Sequence, residues 1–169
     1  LGHGNERDQP ARGPADPGRK HQGVAMPFEY LDHWATADAA YRAWGATREE
    51  MFLAASDALI GLMVNNDVAN LASSENRVIH LDNPDLEMLL LDYLQEFIYW
   101  KDAEGIFFRP RKLRLEKGKK RWHLKADLAG ERIGARQQNI HTDVKAITMH
   151  RFAIRRCAGG WEATVIPDV

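Results

Sequence analysis

The chain has 169 residues, enough for one domain that buries a core of its own. With Lys+Arg 23 against Asp+Glu 24 the formal net charge is -1, so no global field draws it to nucleic acid or to an anionic membrane, and any such contact must come from a local patch. The single cysteine, Cys157, excludes an internal disulfide and a Cys-based zinc site and points to a reducing, cytoplasmic setting, while apolar runs such as Leu89, Leu90 and Leu91 are far too short to span a bilayer.

Residues 1–25 are rich in Gly, Pro and charge and hold almost no branched apolar side chain, so they cannot offset the entropy of ordering and are expected to be a disordered extension. Met26 precedes the first strand-like run, 27–31, and reads as a natural start, which makes 26–169 the folded domain. Residues 39–44 read as a second strand, with Tyr41 and Ala43 on one side and Arg42 and Trp44 on the other. Thr47 and Glu50 have the spacing of a capping box. The following helix has one apolar face of Met51, Phe52, Ala55, Leu59, Leu62 and Met63.

Residues 77–81 read as a short strand. Asn83, Pro84 and Asp85 then open a second helix, with Asn83 as its cap and Leu86, Leu89, Leu90, Tyr93, Leu94, Phe97 and Ile98 on its buried stripe. Residues 106–108 resume extended structure. Two alternating runs, 112–117 and 121–128, flank Gly118, Lys119 and Lys120 as a hairpin whose outer face reads as strongly basic. Nine Lys or Arg against one acid, Glu116, lie between Arg109 and Lys125, so an RNA-binding or chaperone-like module acting through hairpin 109–125 is one functional reading; a solvated face whose lysines discourage edge pairing is the plainer one. Residues 129–140 read as a loop.

The last stretch, 141–169, organises the rest. Val144, Ile147, Phe152, Ile154, Val165 and Ile166 lie in two β-prone runs joined by Ala158, Gly159 and Gly160, a tight hairpin with Pro167 expected to end its pairing. Asp168 and the α-carboxylate of Val169 then place two anions within two residues, either solvated or gathered around a cation. No nucleotide-binding glycine loop, nucleophile elbow or helical His pair is present, and the seven histidines are scattered. What remains is a hard-oxygen set, Asp38, Asp168 and the Val169 terminus, suited to Ca2+ or Mg2+ over zinc.

The run 28–33, then Thr36-Ala37-Asp38, Arg42-Ala43-Trp44-Gly45, the capped helix, the 143–150 strand and the terminal 161–169 together resemble the archease family, from about Phe28 to the last residue. The resemblance implies an α+β domain, two helices packed on a mostly antiparallel sheet with a protruding β-hairpin. It implies a bound divalent cation, Ca2+ first with Mg2+ or Mn2+ as alternatives. It further implies a non-enzymatic partner role in tRNA splicing and RNA repair: archeases activate the RtcB-type RNA splicing ligase, promoting its GTP-dependent guanylylation and its multiple turnover, with indirect or weak RNA contact. Carried over by position, the family's acids fall on Asp38, Asp168 and the Val169 carboxylate, and the lysine of its Val-Lys-Ala-Ile-Thr motif falls on Lys145, implied in ligase activation. This sequence departs from the family's His-Thr-Ala-Asp by the insertion of Trp34 and Ala35 after His33, and Met149 stands where a tyrosine is common.

Overall fold

A computed structural model describes residues 27–32, 39–134 and 140–169. The expected disordered extension, 1–25, and the positions of His33, Thr36 and Asp38 lie outside the described residues. In chain order the elements are β1 (Phe28–Tyr30), β2 (Tyr41–Gly45), α1 (Arg48–Met63), a 3-10 turn (Val68–Asn70), β3 (Glu75–Asn83), α2 (Leu86–Glu104), β4 (Ile106–Lys117), β5 (Trp122–Arg132), β6 (Ala146–Ile147), β7 (Ala153–Cys157), β8 (Gly160–Val165) and β9 (Pro167–Asp168). The α+β class is as expected, but the sheet is divided into three: β1-β2-β8-β7, β3-β5-β4 and β6-β9, with every described pairing antiparallel.

Helix α1 begins at the expected capping box: Thr47 Oγ1 accepts from Glu50 N–H at 3.1 Å, and Glu50 Oε2 accepts from the Ala46 and Thr47 amides at 2.7 and 3.3 Å. Burial goes further than one face. Ala54, Ser56, Ala58, Ile60 and Gly61 are buried along with Met51, Phe52, Ala55, Leu59 and Met63, because α1 packs against β2 and β8 on one side and β4 and α2 on another. A helix enclosed in this way needs small residues where backbones approach and has no polar face to lose. The tyrosines that pack on it still satisfy their hydroxyls: Tyr41 donates to Ala55 O at 2.9 Å, Tyr30 to Ala58 O at 3.0 Å and Tyr93 to Ser56 Oγ at 3.0 Å.

Helix α2 starts two residues later than the sequence suggested. Asp85 is the N-cap, its carboxylate accepting from Met88 N–H at 3.0 Å; Asn83 closes the preceding turn by accepting from Asp85 N–H at 3.0 Å, and Pro84 sits outside the helix. The helix ends at Gly105, whose φ of 63° is the left-handed conformation that a Cβ disfavours. Strand β3 extends to nine residues because all of Glu75–Asn83 pairs with β5. The same pairing corrects the expected loop at 129–140: Ala129 to Arg132 continue β5, paired with both β3 and β4, and buried Leu128 and Ala129 hold them there.

Of the C-terminal hairpin, β8 is interior to its sheet and β7 is an edge. The turn falls on Ala158 and Gly159, and Gly160, at φ 139°, opens β8 where an added Cβ would lie 2.2 Å from Gly45 O. The first β-prone run is broken by a turn at His150 and Arg151, so 146–147 and 153–157 join different sheets. Pro167 does not end pairing. Thr148 N–H and Lys145 N–H donate to Ile166 O and Asp168 O at 3.2 and 2.8 Å, and neither bond asks for the amide that proline lacks. The chain therefore passes from β8 into β9 beside β6.

Candidate functional site

The C-terminal ladder is built on three buried side chains, Val144, Ile147 and Ile166, which hold the β6-β9 pair against the core. Alternation then turns Lys145 outward, and Asp168 is exposed one position along on the partner strand, where Ala146 pairs with Asp168. Thr148 adds a side-chain bond, its hydroxyl donating to Ile166 O at 2.7 Å. Lys145, Asp168 and the Val169 end thus share one exposed rim, and the Lys145 amide is bonded to the Asp168 carbonyl.

This rim is fastened to α2 by a contact that the sequence reading missed. Lys101 lies on the buried stripe of α2, seven residues after Leu94, and is 4 % exposed. Its ammonium donates to Asp143 Oδ1 at 2.9 Å and to Asp102 Oδ1. Burial works to lower the pKa of Lys101, but the hydrogen bonds and charges of Asp102 and Asp143 outweigh it and hold the pKa above the usual lysine value. Reciprocally, the hydrogen bond from Lys101 holds the Asp143 carboxyl below the usual carboxylate range. The signal was present in the sequence: a lysine in register with an apolar stripe must bring an anion to it.

Of the expected cation ligands, Asp168 and Val169 are where described, at an exposed chain end, and Asp38 lies outside the described residues. Among the described residues no three His, Cys, Asp or Glu side chains are grouped to hold a metal ion. Asp143, two residues before Lys145, is already engaged by Lys101.

The outer face of the β4-β5 hairpin is less basic than its sequence count. Lys112 faces Asp127, Glu116 faces His123, and β3 brings in Asp82, which hydrogen-bonds His123 Nδ1. A cleft of about 330 Å³ there is lined by His80, Asp82, Arg114, Glu116, His123, Leu124 and Lys125, so its walls carry both signs. The sequence could not show this because Asp82 and Asp127 lie outside the window 109–125. Trp122 keeps the inward register, half-buried against the core. No helix among the described residues is long and apolar enough to cross a membrane.

The Archease protein family is matched over residues 28–169. A protein archease of Methanosarcina barkeri is 35% identical over 145 residues, which cover 84% of this chain and 95% of that protein. The solution structure of protein 1598 of Methanobacterium thermoautotrophicum superposes with a TM-score of 0.73 at 31% identity, covering 85% of this chain and 99% of the other. The crystal structure of a Thermotoga maritima archease, described as a possible chaperone, has a TM-score of 0.55 at 20% identity, covers 80% and 93% of the two chains, and speaks for the fold alone. A match that runs from β1 to the last residue, together with this arrangement of strands and helices, places the chain in the archease family.

Proposed function

We propose that this protein is a non-enzymatic partner that activates an RtcB-type RNA splicing ligase, promoting its GTP-dependent guanylylation and multiple turnover, with a divalent cation held by Asp38, Asp168 and the Val169 carboxylate. The observation that carries this reading is the register of β2 on β8. Tyr41 pairs with Val165, and Leu31 N–H donates to Ala40 O at 2.7 Å, closing the β1-β2 connection at that same end of the ladder. Asp38 precedes Tyr41 by three residues and Asp168 follows Val165 by three, so covalent reach keeps each within roughly 10 Å of its member of that pair. The strands are antiparallel, so the chain entering Tyr41 and the chain leaving Val165 lie at one end of the ladder.

The donor set fits a hard cation: carboxylate oxygens, two of them on adjacent residues at an exposed rim. A bound divalent ion would supply charge neutralisation for phosphates, the role metals play in phosphoryl transfer. The chain's own residues do the rest. Asp168 is oriented by its backbone bond to Lys145, and Lys145 is exposed beside it to meet a partner.

Ca2+ is the cation we favour, with Mg2+ or Mn2+ able to take its place. The test is guanylylation of the ligase from GTP with wild type, Asp38→Ala, Asp168→Ala and Lys145→Ala. Loss of activation in all three, with unfolding temperatures unchanged, is the expected result. Full activation by both aspartate variants ends the cation reading.

A further inference from the structure

At the opposite end of the β2-β8 ladder, five side chains alternate between cation and aromatic ring. Lys117 Nζ lies 5.5 Å from the Trp122 ring centre and the Arg48 guanidinium 5.2 Å from it; Arg48 is also 4.1 Å from the Trp161 ring centre, and Arg156 is 5.5 Å from the same ring. The two outer pairs are cross-strand partners, Lys117 opposite Trp122 and Arg156 opposite Trp161. Two separate hairpins therefore each set a cation against a tryptophan, and Arg48, from the first turn of α1, bridges them.

Arg48 is held there against its local preferences. A cation in the first turn of a helix meets the positive end of the helix dipole. Among the described residues its buried Nε has no hydrogen-bond partner. Contact with two rings offsets this and holds the guanidinium between the two tryptophans, beside Glu49 and Glu50 of the same turn. The β4-β5 turn adds Lys119, Lys120 and Arg121, all exposed. Among the described residues, none of Lys117, Lys119, Lys120, Arg121 and Arg156 has a carboxylate within ion-pair distance.

We propose that this end binds the phosphodiester backbone of a single-stranded nucleic acid. The cations are strung through a chain of ring contacts from one hairpin to the other, which fits a polyanion better than a single phosphate. An anionic bilayer fits less well, because neither turn carries a large aliphatic side chain to insert and the exposed large apolar residues, such as Val78 and Met149, lie elsewhere. The rings are covered by cations, so the contact is to phosphate and is independent of sequence. This surface shares no residue with the proposed cation site and stands or falls separately from it.

Fluorescence anisotropy of the full chain with labelled oligouridylate, with oligodeoxythymidylate of equal length and with phosphatidylserine vesicles tests the proposal. Both oligonucleotides are expected to bind wild type, with log K falling linearly in log salt. K119Q/K120Q/R121Q should weaken binding at least about tenfold at low salt and reduce the slope by about 2, at roughly 0.7 for each phosphate that is no longer neutralised. R156Q, on the other hairpin, should reduce the slope by about 0.7. Absence of oligonucleotide binding at low salt, slopes unchanged in both variants, binding to RNA only, or binding to vesicles without binding to oligonucleotides would each overturn it.

Discussion

Lys101 Nζ lies 2.9 Å from Asp143 Oδ1, joining the last turn of α2 to the segment that carries Lys145. The two partners differ in burial: Lys101 is enclosed, whereas the Asp102 and Asp143 carboxylates are mostly in water. Removing the cation and removing the anions should therefore have unequal effects. Lys101→Met leaves two solvated carboxylates and fills the same space with an apolar chain, so it should cost under about 1 kcal/mol. D102N/D143N leaves the enclosed ammonium without its anions and should be the more destabilising of the two. Urea unfolding of both variants measures the difference, and the reverse order would remove Lys101 from the role assigned to it.

The same pair sets a pH window. Asp143 is lowered in the native state, so its contribution is present above the unfolded carboxylate value of about 3.9 and fades as the pH falls through the lower native value. Lys101 is raised, so its contribution is complete below the unfolded value of about 10.4 and fades as the pH rises through the higher native value. The difference in unfolding temperature between wild type and K101M should stay level across neutral pH and change only at the two extremes. A change centred on neutrality would assign it to another group.

Much of the fold was legible because its signals are local. The Thr47 and Glu50 box and the α2 stripe from Leu86 to Ile98 depend on spacing alone, and both are present in the structure. What was not legible depends on neighbours far along the chain. Ser56, Ala58 and Gly61 lie outside the apolar face that spacing picks out, yet all three are buried, because neighbours far along the chain pack on that side as well. Pro167 reads as a stop until the flanking carbonyls of Ile166 and Asp168 are seen to do the pairing. The Lys101 contact to Asp143 spans 42 positions, and the acids that temper the hairpin's outer face come from β3 and the far half of β5.

The reassigned cap of α2 makes a separable expectation. Asp85→Ala removes the acceptor for the Met88 amide and should cost about 1 kcal/mol, whereas Asp85→Asn keeps an equivalent acceptor and should recover most of it. Thermal unfolding of the two variants distinguishes them. Equal losses would mean that the charge near the helix start matters and the hydrogen bond does not.

Gly159 and Gly160 are adjacent but not equivalent. An added Cβ at Gly159 meets nothing within 4 Å, while at Gly160 it would lie 2.2 Å from Gly45 O on a backbone at φ 139°. Gly160→Ala should cost more than about 2 kcal/mol, through strain and displacement of β2. Gly159→Ala should be within about 0.5 kcal/mol of wild type. Denaturant midpoints for the pair check this, and tolerance of alanine at Gly160 would show that the β7-β8 turn can shift without loss.

The proposed cation site draws one ligand from the chain end itself, which allows a test that alters no side chain. The described pairing of β9 stops at Asp168, and Val169 is 36% exposed, so two extra residues, Gly-Ser, added after Val169 can be accommodated without breaking a ladder bond. The addition turns the α-carboxylate of Val169 into a neutral peptide carbonyl. A site built from two side-chain carboxylates and the terminus loses one of three negative charges, and its affinity for a hard divalent ion falls with ligand charge. Calorimetric titration with Ca2+ should show at least about a tenfold weaker Kd for the extended chain, equivalent to about 1.4 kcal/mol, at an unchanged unfolding temperature without metal. Unchanged Ca2+ affinity would take the terminus out of the ligand set and leave Asp38 and Asp168 to act without it.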